Sequence, residues 1–150
     1  MSRKTARTAA MQIIFEKVSG GQGGEETLQM VYDELRETGV PGIHQIRASE
    51  PEEEDREYIM RSFDGVLSHL AEIDDLIEKT AKGWPLDRMA LVDLTILRLA
   101  VWEILYDPEV PGNVSIAEAM ELTERYSDPA DKAFVNGILG TILRDNEARQ

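Results

Sequence analysis

Arg3, Lys4 and Arg7 are the residues whose types and spacing most plainly suggest chemistry. Positions three and four apart share a helix face, so Arg3 and Arg7 lie together with Lys4 beside them. A guanidinium is a planar fork that pairs bidentately with phosphate. The positive end of a helix dipole adds to the attraction for an anion. The cluster is therefore a candidate anion site, although an ordinary solvated N-terminal face has the same composition. Three charges release few counterions. Any RNA bound there should be short, single-stranded and held with the help of a second protein.

Catalysis and metal binding find little support. His44 and His69 are not at metal-ligand spacing, and no His-Glu-x-x-His motif exists. Both read as solvated or locally bonded. Ser68 and Ser115 have no histidine nearby and no glycines of a nucleophile elbow. Ser19-Gly20-Gly21-Gln22-Gly23-Gly24 lacks the Gly-Lys-Ser/Thr of a phosphate loop and reads as a linker. The run Glu52-Glu53-Glu54-Asp55 lacks the alternating ligands and glycine of a calcium loop. It reads as a first helical turn, where carboxylates suit the dipole. With no cysteine in the chain, thiolate nucleophiles, disulfides and Cys-based metal sites are excluded. The expectation is a non-enzyme without cofactor or metal.

Charge narrows the function further. The net charge of −13 argues against a general nucleic-acid binder, which carries a basic surface. Residues 1–18 hold Arg3, Lys4, Arg7 and Lys17 against Glu16, a net of +3, and the rest of the chain carries −16. A short basic end on an acidic body points to one local anion site. A chain of 150 residues, 42% apolar, suits one domain over 1–150. No apolar run approaches the roughly 18 residues of a membrane span. No apolar stretch of a secretory signal follows the basic start. A cytoplasmic protein is predicted.

The elements that must position these residues are helical. Ser2 can cap a helix over about 3–18, with Ala6, Ala10, Ile13 and Ile14 on one stripe. Leu28, Val31, Tyr32 and Leu35 mark a second over about 25–38, with Gly39 at its C-terminal end. Residues 39–51 read as the one long irregular stretch. Ile59, Phe63, Val66, Leu67 and Leu70 give a third its buried stripe, and a fourth runs from Ile73 to Lys82. Leu86–Tyr106 is apolar on most sides and should be a central helix. Ser115 and Glu118 have capping-box spacing for a sixth helix that ends near Tyr126. Asp128-Pro129 opens the last, whose core face is Phe134, Val135, Ile138, Leu139 and Ile142. The prediction is an all-α, single-domain bundle of about seven helices.

Two internal features need partners. Arg98 and Glu103 lie within the most apolar segment and call for a charge on another helix. Gly137 sits inside the last helix, where glycine costs roughly 1 kcal/mol relative to alanine. Close approach of another helix would explain it. A contact made by the neighbouring Asn136 amide is the sharper alternative.

Several segments resemble the NusB family of bacterial transcription antitermination factors. Val92-Asp93-Leu94-Thr95-Ile96-Leu97-Arg98-Leu99-Ala100-Val101-Trp102-Glu103-Ile104-Leu105 is similar to its VDRAILRLAxYEL signature. Val110-Pro111 with Val114-Ser115-Ile116-Ala117-Glu118-Ala119-Met120-Glu121-Leu122 resembles IPxxVAINEAIEL, and Phe134-Val135-Asn136-Gly137-Ile138-Leu139 resembles FVNGVL. Arg3 to Phe15 is similar to the family's arginine-rich first helix. The resemblance implies two packed helical subdomains and no enzymatic activity. It implies binding of boxA RNA, a short single-stranded element of nascent ribosomal RNA leaders. The binding occurs together with NusE, a small-subunit ribosomal protein, in the RNA polymerase antitermination complex. It assigns Arg3, Lys4, Arg7, Phe134 and Asn136 to the RNA face. Phe134 could stack on a base or, being at core spacing, simply be buried. Some members of the family self-associate, so a homodimer is a further implied assembly. Leu94 stands where the signature has a basic residue, and Thr123-Glu124 where a lysine is common. With the acidic body, these motivate an alternative: a protein-interaction module of the same fold with little RNA affinity of its own.

Overall fold

A computed structural model describes residues 3–20 and 53–150. Among the described residues there are six α-helices and no strand. They are α1 (Arg3–Val18), α2 (Glu53–Ser68), α3 (Leu70–Thr80), α4 (Leu91–Tyr106), α5 (Gly112–Tyr126) and α6 (Lys132–Ala148). Short 3-10 turns occupy Leu86–Arg88 and Pro129–Asp131. The helix expected over 25–38, the Ser2 cap, His44 and the 39–51 stretch lie outside the described residues. The chain divides into two compact units, residues 1–64 and 65–150.

In the first unit, α1 is rich in alanine, the strongest helix former. Ala6, Ala9, Ala10, Ile13 and Ile14 have no exposure at all. Thr8 is also buried, and its Oγ1 donates to the Lys4 carbonyl at 3.0 Å. The helix ends in a turn at Gly20, whose φ of +98° suits a residue without Cβ. Glu53, Glu54 and Asp55 form the first turn of α2, where the dipole favours them. Tyr58, Ile59, Ser62 and Phe63 are buried along α2 in this unit, and Ser62 Oγ donates to the Ile59 carbonyl at 2.9 Å.

In the second unit, α4 is the centre. It is buried without a gap from Asp93 to Glu103. Helices α5 and α6 pack on it and on each other, and α3 packs on α4 and α6. Two glycines permit close contacts. A Cβ at Gly65 would collide with the Trp102 indole, and one at Gly112 with the Leu143 side chain. Arg98 meets a charge on another helix, as its surroundings require. Its Nε donates to Asp74 Oδ1 at 2.7 Å and its Nη2 to Asp74 Oδ2 at 2.8 Å. Asp74 lies on α3, so the bidentate pair ties α3 to α4.

Four boundaries differ from those predicted. Helix α3 starts at Leu70, which the apolar stripe assigns to the preceding helix, and ends at Thr80. Leu86–Tyr106 is interrupted, because Met89 and Ala90 are extended, with ψ of 143° and 135°. Apolar periodicity does not register so short a link. Ser115 does not cap α5; it is 1% exposed inside the helix. The start is at Gly112, and the Pro111 carbonyl accepts from Val114 N at 2.9 Å and Ser115 N at 3.1 Å. Proline's fixed φ presets that start, and the Gly112–Leu143 contact draws the first turn into the core. Asp128 caps as expected, accepting from Ala130 N at 2.9 Å, but the turn it opens is the 3-10 segment before α6.

Asp74→Ala should cost about 3–5 kcal/mol, the range for leaving one member of a buried ion pair uncompensated. Urea unfolding followed by circular dichroism measures it. A loss under about 1 kcal/mol, the range of an exposed pair, would show that the interaction does not hold α3 in place.

Candidate nucleic-acid interface

The N-terminal cations are held by an aromatic ring. The Arg3 guanidinium lies 4.4 Å from the Tyr58 ring centroid and that of Arg7 lies 5.7 Å from it. The four-residue spacing does put both on one face, but that face covers Tyr58. Arg7 is only 4% exposed, whereas Arg3 and Lys4 are half-buried. A cation desolvated over a ring gains about 2 kcal/mol, more than one left in water. Arg7 is thus a packed residue, and Arg3 and Lys4 carry the accessible charge of the cluster. Tyr58 is the member that sequence reasoning missed. It sits one position before the apolar stripe of α2 and has no motif of its own.

The second unit carries a groove of about 770 Å³. Its walls come from the chain after α3, the Leu86–Arg88 turn, the start of α4 and the start of α6. Trp84 and Phe134 meet edge to face there, with centroids 6.3 Å apart and planes at 89°. Trp84 is 51% exposed, an unusual state for so large an apolar ring. Phe134 is half-buried, so it serves the core and the groove at once. Lys82, Arg88, Asp93, Asp131 and Gly137 also line the groove. Asn136 is exposed on the same turn of α6 but is not part of the lining. Among the described residues no helix approaches Gly137 closely: a Cβ there would meet nothing within 4 Å. Trp84, Arg88, Asp93 and Asp131 were not legible as site residues, because the fold brings them together from separate elements.

Asp93 begins the buried stretch of α4. Ser127 Oγ donates to its Oδ1 at 2.5 Å, and its carboxyl also hydrogen-bonds Asp131. Burial pushes the Asp93 carboxyl up to about 6, with Asp131 adding to the rise, Ser127 opposing it and Asp128 adding a smaller repulsion. A second polar cluster lies nearer the surface, between α3 and the end of α4. His69 stacks on Tyr106 at 4.1 Å and 15°, and its Nδ1 lies 3.7 Å from Glu72. Tyr106 donates to Glu72 Oε1, which pushes its phenol up to about 12.

The NusB family model matches residues 4–144. The chain belongs to the NusB family. It is similar to the transcription antitermination protein NusB of Clostridium botulinum strain Alaska E43, with 38% identity across 96% of this chain and 99% of the relative. Among solved structures it is similar to T. maritima NusB, with a TM-score of 0.79, 29% identity and coverage of 97% and 92%. It is also similar to a chain from a crystal structure of the antitermination factors NusB and NusE in complex with double-stranded RNA. There the TM-score is 0.75 at 25% identity, covering 95% of this chain and 96% of that one. The NusB match takes in both the cations from Lys4 onward and the whole groove.

The Asp93 environment gives a pH dependence with a definite sign. The folded carboxyl titrates near 6 against an ordinary 3.8, so the folded protein binds more protons between those values. Stability therefore falls as pH rises through that window. Asp93→Asn should flatten the profile. Thermal unfolding from about pH 4.5 to about pH 7.5 spans the window and checks it. An unchanged profile in the variant would remove Asp93 as the cause.

Proposed function

We propose that this NusB-family chain is a non-catalytic transcription antitermination adaptor. It binds boxA RNA of nascent ribosomal RNA leaders together with NusE, as part of the RNA polymerase antitermination complex. The observation that carries this reading is the 38% match to a named antitermination protein along nearly the full length of both chains. The solved NusB–NusE–RNA assembly to which this fold is similar supports the choice of partners. The role places the protein in the cytoplasm, with the transcript. Among the described residues no helix is long and apolar enough to cross a membrane.

Within that function, Arg3 and Lys4 contact RNA phosphates, and Arg7 supports them from its packed position over Tyr58. Phe134 offers a partly open ring to a base, and the Asn136 amide offers donor and acceptor groups beside it. A second reading, a protein-interaction module with little RNA affinity of its own, is favoured by one observation. Burial of Arg7 leaves the basic cluster with less accessible charge than its composition suggests.

Fluorescence anisotropy of a labelled boxA RNA, with and without NusE, decides between them. The adaptor binds weakly alone and tightly with NusE. The double variant Arg3→Glu with Lys4→Glu should weaken binding while leaving the helical circular dichroism unchanged. Its salt slope should fall by about 0.7 for each RNA phosphate that is no longer neutralised. A ternary affinity that gains nothing from RNA would establish the interaction-module reading instead.

A further inference from the structure

Gly137 breaks a local rule that the described residues give no reason to break. It lies inside α6, where alanine is the better helix former. Its φ is not in the left-handed region that favours glycine. Gly65 and Gly112 on other helices are explained by packing, because a Cβ would strike Trp102 or Leu143. At Gly137 a Cβ would meet no atom of another described residue beyond the α6 backbone within 4 Å. The position is exposed, and it lines the groove one turn after Phe134. Rules broken without an internal reason belong to places where something outside the chain must fit.

The groove walls say what fits. Trp84 presents an open ring for stacking, edge to face with Phe134. Lys82 and Arg88 supply cations for a phosphate. Asp93 and Asp131 supply acceptors for the amino groups of a base edge. Stacking surface, cation and acceptor together are the complement of a nucleotide of single-stranded RNA. The inference rests on the RNA-binding reading above.

We infer that Gly137 is a clearance residue: its missing side chain lets an RNA nucleotide seat against the α6 backbone in the groove beside Trp84 and Phe134. Glycine at this position then serves binding and lowers helix stability.

The test is Gly137→Ala, with Gly140→Ala on the same helix but outside the groove lining as control. Binding of labelled boxA RNA is measured at saturating NusE, NusE binding is measured without RNA, and Tm is measured for each protein. Both variants should keep or raise Tm, by about 2–4 °C. Gly137→Ala should weaken RNA binding about tenfold, the effect of forcing a methyl into a filled contact, and Gly140→Ala should not. Unchanged RNA affinity with intact helicity overturns the clearance role and leaves the adaptor reading standing. A lowered Tm for Gly137→Ala overturns it in favour of a structural glycine. A loss seen equally in NusE binding without RNA assigns the groove to a polypeptide and overturns the RNA assignment. A wild-type protein that binds no RNA with or without NusE overturns the adaptor reading and the inference together.

Discussion

A helix that is apolar on every side must be covered on every side, and α4 imposes that demand on the second unit. Its burial from Asp93 to Glu103 leaves no face for water, so α3, α5 and α6 have to close around it. Apolar contacts alone tolerate sliding of one helix past another. The Arg98–Asp74 pair does not, because two parallel N–H···O bonds have one geometry. The guanidinium thus fixes the register of α3 on α4. Gly65 beneath Trp102 and Gly112 beneath Leu143 set two further contacts that accept no added carbon.

The groove is a consequence of that arrangement. It forms beside the start of α4, where Asp93 and Leu97 line its floor, and the first turns of α6, where Phe134 and Ile138 line its wall. The extended link at Met89 and Ala90 is what turns the chain there and frees Trp84 and Arg88 to face the opening. The same position explains the electrostatics. Asp93 is near enough to the core to be buried and near enough to the opening to meet Ser127 and Asp131, so its proton is held more tightly than a surface carboxyl would hold it.

The all-helical class was legible because apolar residues recur at helical spacing in almost every segment. The central helix and the need for a partner at Arg98 were legible for the same reason, since a charge in so apolar a segment has few tolerable states. Boundaries were less so. Ser115 and Glu118 have capping-box spacing, yet the tertiary contact at Gly112 moves the start of α5 to Pro111. The candidate site was legible in part. Spacing placed Arg3 and Arg7 on one face but could not show Tyr58 beneath it, because that contact joins α1 to α2 across the intervening segment. Gly137 stood out as a cost; only the structure shows that no packing among the described residues offsets that cost.

The distribution of charge decides how such a protein can hold RNA. A chain of net −13 repels a polyanion, and the accessible cations of the candidate sites are few: Arg3 and Lys4 at one place, Lys82 and Arg88 at another. Counterion release, which dominates binding by basic proteins, contributes little here. What remains to the candidate sites is short-ranged: stacking on partly open rings, and hydrogen bonds that the Asn136 amide donates or accepts and the carboxylates accept, which distinguish one base from another. Such contacts select a sequence but do not gather an RNA from solution. In the adaptor reading a basic partner supplies the missing attraction, both to the acidic surface of this chain and to the phosphates. In the adaptor reading the division of labour follows from the charges themselves, with NusE providing much of the long-range attraction and this chain much of the discrimination.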